Sequence, residues 1–97
     1  MPVVKRTVTV VHRQGLHARP AALFVQAAKT FASRITVKKS RKIVDGKSIM
    51  GLLTLAAGRG ARIAIIADGQ DAPDALERLI DVVTTPLPEP PEEARRI

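Results

Sequence analysis

A chain of 97 residues has room for one domain, and 45% hydrophobic against 26% charged residues give it a core without the bias of a disordered polypeptide. The absence of cysteine excludes disulfide staples and thiolate metal sites. A formal charge of +7 points to an anionic partner, but the only aromatics are Phe24 and Phe31, too few for a surface on which nucleic-acid bases stack.

Val4 to Val11 alternates, with Val8 and Val10 between Thr7 and Thr9, and this period of two with β-branched residues predicts a half-buried strand. It is not the basic head and apolar body of a signal peptide, and no later stretch approaches the roughly 20 apolar residues of a membrane span. With no cysteine, this leads to the expectation of a cytoplasmic protein with no membrane insertion. Arg13, Gln14 and Gly15 break the strand. From Ala18 to Ala32 the period changes, since Ala21, Phe24, Val25, Ala28 and Ala32 recur at steps of three and four, as on an amphipathic helix. Pro20 belongs in the first turn of that helix, where a missing N–H costs nothing.

Arg34 to Lys38 alternates again with Ile35 and Val37 inward, the basic run 38–42 makes a tight connection, and Ile43 and Val44 form a short third strand. Ser48 is a suitable N-cap for a short helix over 49–55, closed by Gly58 and Gly60. The nearly unbroken apolar run from Arg62 to Ala67 reads as a central strand. Asp71 is expected to cap a last helix, with Asp74 in its first turn and Ala75, Leu76, Leu79, Ile80 and Val83 as its buried stripe. Pro86 ends it. The expected order is β-α-β-β-α-β-α: an α+β, two-layer open-faced sandwich, with a four-stranded antiparallel sheet and three helices on one face. Residues 1–85 form that domain, and 86–97 form a Pro/Glu-rich tail expected to be disordered. Three acids against two arginines in the tail leave the rest of the chain at +8.

The segment Gly15-Leu16-His17-Ala18-Arg19-Pro20-Ala21 carries the most chemistry. His17 falls at the N-cap boundary, where first-turn N–H groups have no helical partner and the helix dipole favours negative charge. That dipole favours a neutral imidazole, whose lone pair can attack phosphorus. The phosphoryl oxygens would then lie within reach of the Ala18 and Arg19 amides and the Arg19 guanidinium. Gly15 allows a tight turn before the ring. His12 has no helix start beside it, while position alone leaves open that His17 is a plain capping residue and Arg19 a solvated charge.

Two lookalikes fail. Gly46-Lys47-Ser48 imitates the end of a phosphate-binding loop, but Arg41 stands where its first glycine belongs. Gly58-Arg59-Gly60 lacks the third glycine of a dinucleotide fingerprint, since Ile63 is there. Neither a metal nor a cofactor is expected.

The segment from Gly15 to Ala22 resembles the active-site signature of HPr, the histidine-containing phosphocarrier of the bacterial phosphoenolpyruvate-dependent sugar phosphotransferase system. Lys47-Ser48-Ile49-Met50-Gly51-Leu52-Leu53-Thr54-Leu55 resembles that family's regulatory-site signature, and the resemblance runs from about Val4 to Thr85. It implies a carrier rather than an enzyme in the strict sense. Enzyme I, charged by phosphoenolpyruvate, would pass a phosphoryl group to Nδ1 of His17, and the carrier would pass it on to the EIIA domain of a sugar permease. Arg19 and the Ala18 N–H would hold the phosphoryl oxygens. Ser48 would be a target of HPr kinase/phosphorylase, bringing in a catabolite-control transcription regulator as a further partner. The catabolite-repression paralogue in that family lacks the histidine, whereas this chain keeps His17, so a purely regulatory adaptor is the second reading and a nucleic-acid-binding module a remote third. Gln14 departs from the Asn, Asp or Ser common in the family.

A partner surface is expected beside these motifs. Leu52, Leu55 and Ala56 define one buried arc of the short helix, while Met50 and Leu53 lie off it and remain apolar. Methionine suits a surface that fits several partners. Leu16, Ala22, Leu23 and Ile49 would join this patch, with Gln26 and Lys29 at its rim. Arg13, Arg19, Lys29 and Lys47 lie close to the two motifs and would guide acidic partners. A shuttling carrier of this size is expected to be a monomer.

Overall fold

The computed structural model describes residues 2–86, so the expected tail lies almost wholly outside the described residues. The elements are β1 (Val3–Thr9), α1 (Ala18–Lys29), β2 (Arg34–Lys39), β3 (Lys42–Asp45), α2 (Ile49–Thr54), β4 (Arg62–Asp68) and α3 (Ala72–Thr84). They form one four-stranded sheet in the order β1-β4-β2-β3, antiparallel throughout. This is the expected open-faced sandwich.

The arrangement follows from where apolar side chains fall. β4 lies between β1 and β2, which accounts for its apolar run: Ile63, Ile65 and Ala67 are buried under the helices, and Ala64 and Ile66 are half-buried on the opposite face. The register aligns Lys5, Ile66 and Thr36 across that open face, and Thr7, Ala64 and Lys38 in the next row. On β2, Ile35 and Val37 are buried in alternation with Thr36 and Lys38. The helices supply the other half of the core through Phe24, Val25, Leu52, Leu76, Leu79 and Val83. Full burial of each large side chain is worth about 1.5–3 kcal/mol. α3 packs on β1, β4 and α1, and α1 packs on α2.

Three local expectations are corrected. β1 ends at Thr9, not Val11: Val10 bonds two successive residues, donating to Ala61 O at 2.9 Å and accepting from Gly60 N at 2.8 Å, a bulge-like step that takes the chain out of the ladder. α1 stops at Lys29, not Ala32. The Thr30 hydroxyl donates back to Ala27 O at 2.6 Å, and Ala32, outside the stripe, is exposed. Asp71 occupies the N-cap position of α3, but its side chain makes no cap bond. Its carboxylate instead accepts from the Ala32 and Ser33 amides at 2.8 and 2.9 Å and from the Ser33 hydroxyl, joining the start of β2 to the start of α3. The Ser33 hydroxyl and the Ala32 amide hold the Asp71 carboxyl below its ordinary value.

Candidate phosphoryl-acceptor site

The segment before α1 is held by backbone bonds. The Gly15 amide donates to His12 O at 2.9 Å, closing a β-turn over Arg13 and Gln14, and the Leu16 amide donates to Ala57 O at 2.8 Å. Gly15 has φ +74°, and a Cβ there would meet the Ala57 carbonyl oxygen and lie 2.7 Å from Gly58 Cα, so both conformation and space require glycine. Leu16 then turns inward. At 5% exposure it belongs to the core, and the expectation that it contributes to a partner surface is corrected.

His17 is the N-cap of α1, in extended conformation (φ −79°, ψ −171°), and its ring makes no capping bond. It is half-buried, while Ala18 and Arg19 are exposed. Within α1, Ala18 and Arg19 have no carbonyl to bond, Pro20 brings no N–H, and the first helical bond is Ala21 N to His17 O at 3.0 Å. The first turn holds no acidic residue. The imidazole thus stands at a helix start with no acidic side chain in the first turn, and with a guanidinium two residues on. This suits a developing anion. Gln14 is exposed.

His12, the other histidine, is 3% exposed. Its Nε2 lies 3.0 Å from Val82 O. A ring so enclosed cannot meet a phosphoryl donor.

Ser48 is the N-cap of α2, and its Oγ accepts from the Gly51 amide at 3.0 Å. The entry to α2 is further fixed by Asp45, whose carboxylate accepts from Lys47 N at 2.9 Å and whose carbonyl accepts from Ser48 N at 3.1 Å. Ser48 opens α2, and Ala57, three residues beyond its end, receives the Leu16 amide, so one short helix of about 9 Å joins the two candidate sites.

The surface between them is apolar in part. Met50 is 70% exposed, Ile49 and Leu23 are exposed, Leu53 and Ala22 are half-buried, and Gln26 and Lys29 are exposed beside them on α1. Leu52 and Leu55 form the buried arc of α2 as expected; Ala56 does not, because the chain turns there at φ +51° and leaves it exposed. Several basic residues have local structural work rather than steering. Lys39 Nζ donates to Leu55 O and Ala56 O at 3.2 and 3.1 Å, Lys42 Nζ donates to Thr54 O, and Lys47 Nζ donates to Phe31 O at 2.8 Å. The hairpin lysines therefore cap the C-terminal end of α2. A charge run with no visible partner in sequence concealed this role.

Comparison with known proteins agrees with the geometry. The family model described as "PTS HPr component phosphorylation site" matches residues 4–85. The chain belongs to the HPr family. It is 50% identical over 78 residues to the HPr-like protein Crh of Halalkalibacterium halodurans, covering 80% of this chain and 93% of that one. It is 46% identical over 80 residues to the phosphocarrier protein HPr of Treponema pallidum, covering 79% and 91%. The crystal structure of the phosphocarrier protein HPr from Bacillus anthracis superposes with a TM-score of 0.83 at 46% identity, covering 87% of this chain and all of the other. Among the described residues no helix is long and apolar enough to cross a membrane.

Proposed function

We propose that this HPr-family chain accepts a phosphoryl group on Nδ1 of His17 from phosphoenolpyruvate-charged Enzyme I and passes it to EIIA domains of sugar permeases in the cytoplasm. The observation that carries this reading is the placement of His17 at the N-cap of α1, with its ring making no cap bond and Arg19 in the first turn. In the transfer, the Nδ1 lone pair forms a bond to phosphorus as the bond from phosphorus to Enzyme I breaks, and the ring is later the leaving group toward EIIA. Such transfers need mainly in-line positioning and charge stabilisation. Arg19 and the Ala18 amide supply the second, and a half-buried ring supports the first without sealing the phosphoryl from its next acceptor. Ala22, Leu23, Gln26, Ile49, Met50 and Leu53 form the docking surface shared by these partners, and the carrier works as a monomer.

Incubation with Enzyme I and phosphoenolpyruvate should add one acid-labile phosphoryl group, and His17→Ala should abolish it. Label that survives the substitution overturns the assignment.

A regulatory arm through Ser48 is the second reading, supported by 50% identity to an HPr-like Crh protein and by the position of Ser48 at the start of α2. A phosphoryl group there would add negative charge beside Ile49 and Met50, opposing one docking event and permitting another, with HPr kinase/phosphorylase as its source and a catabolite-control transcription regulator as its reader. Treatment with HPr kinase and ATP that leaves Ser48 unmodified removes this arm.

A further inference from the structure

His12 is buried at 3% exposure and is tied both to the adjacent turn and to a distant part of the molecule. Its carbonyl accepts the Gly15 amide at 2.9 Å and so begins the β-turn that leads into His17. Its ring Nε2 lies 3.0 Å from the carbonyl of Val82, 70 residues away in the last turn of α3. A carbonyl can only accept, so Nε2 carries the proton and donates. Val82 O is one of the last-turn carbonyls that a helix cannot bond internally. Nδ1 is buried and has no hydrogen-bond partner among the described residues, and in the neutral ring it would be a bare acceptor. An unpaired buried acceptor opposes folding. The ring is therefore placed for its single donor, not for two polar contacts.

The ties of the residues that follow His12 include Gly15 N to His12 O and Leu16 N to Ala57 O. His12 adds another by a side chain, to the last helix of the fold. We propose that His12 is a positioning residue for phosphoryl transfer: its ring clamps the turn that presents His17 to the last turn of α3. This rests on His17 being the phosphoryl acceptor. In-line transfer is sensitive to small displacements of the attacking atom, so a loosened turn should slow the chemical step more than it weakens docking.

The test compares His12→Gln, which keeps an N–H donor at similar reach, with His12→Phe, which fills the ring's space without a donor. With Enzyme I and phosphoenolpyruvate, His12→Phe should lower kcat for phosphoryl uptake about tenfold with KM changed less than about twofold. His12→Gln should recover kcat to within about threefold of wild type. Hydrogen exchange at the Gly15 amide should follow the same order. Equal kcat for the two variants, or a wild-type kcat for His12→Phe, overturns the positioning role alone. No uptake by the wild type overturns the carrier reading and the positioning role with it. One measurement needs no substitution: at neutral pH the wild type should show a slowly exchanging His12 Nε2 proton with a scalar coupling across the bond to the Val82 carbonyl, and its absence overturns the clamp even if a variant fails to fold.

Discussion

α1 and α2 both begin at a residue whose side chain is a phosphoryl acceptor in the proposed function, yet the two starts are built differently. At α2 the Ser48 hydroxyl itself closes the helix by accepting the Gly51 amide. At α1 the His17 ring closes nothing, Pro20 removes one donor, and no acid stands in the first turn. The difference teaches which group each start serves. The α2 cap is part of the fold, and a group added to Ser48 must displace or take over a bond the helix already uses. In the proposed function the phosphoryl would arrive at the α1 start, and since the His17 ring makes no cap bond there, adding and removing the group would ask little of the fold.

Substitutions at the two acceptors should therefore have opposite profiles. His17→Ala should eliminate phosphoryl uptake and leave unfolding free energy within about 0.5 kcal/mol of wild type; a large stability loss in denaturant melts would break the contrast. Gly15→Ala asks whether the open start depends on the turn before it. Its positive φ and the backbone it would strike predict a loss on the order of 2–4 kcal/mol, readable as a lower urea midpoint. Ser48→Ala should cost about 1 kcal/mol through the lost cap while His17 is still phosphorylated by Enzyme I. If it slows uptake as strongly as it destabilises, the two starts are not separate devices.

The third helix start sharpens the comparison from the other side, because Asp71 sits at the cap position of α3 and bonds elsewhere. Its folded-state pKa lies below the ordinary 3.8, so its contribution to stability is complete above that value and is lost as pH falls through the folded pKa. Wild type and Asp71→Ala should differ in thermal melts near neutrality and converge in acid, by a small amount since the carboxylate is at the surface. A difference that persists at low pH would mean that charge is not what Asp71 contributes.

Much of the architecture is legible from periodicity. The β-branched alternation of Thr7 to Val10, the three-four spacing of Ala21, Phe24, Val25 and Ala28, and the apolar run of β4 each fix an element and a buried face. The acceptor segment is legible because Gly15, His17, Arg19 and Pro20 act within a few residues of one another. What escapes is decided at long range. Leu16 faces inward because its amide is held by Ala57, Asp71 leaves its own helix for residues 38 and 39 positions back, and His12 finds its partner 70 residues away. Local pattern carries no trace of such bonds, and a backbone carbonyl such as Ala57 O or Val82 O has no residue type to betray it.

The strand order has a consequence for how the molecule is made. Among the described residues β1 pairs only with β4, which lies about 60 positions later in the chain, with Val3 opposite Asp68. The Leu16 amide likewise waits for Ala57, and the His12 ring waits for Val82. At roughly 5–20 residues per second, a nascent chain carries its complete acceptor signature for several seconds before the sheet that supports it can close. In the proposed function, His17 would therefore stand on its fully supported turn only once β4 and α3 have been made.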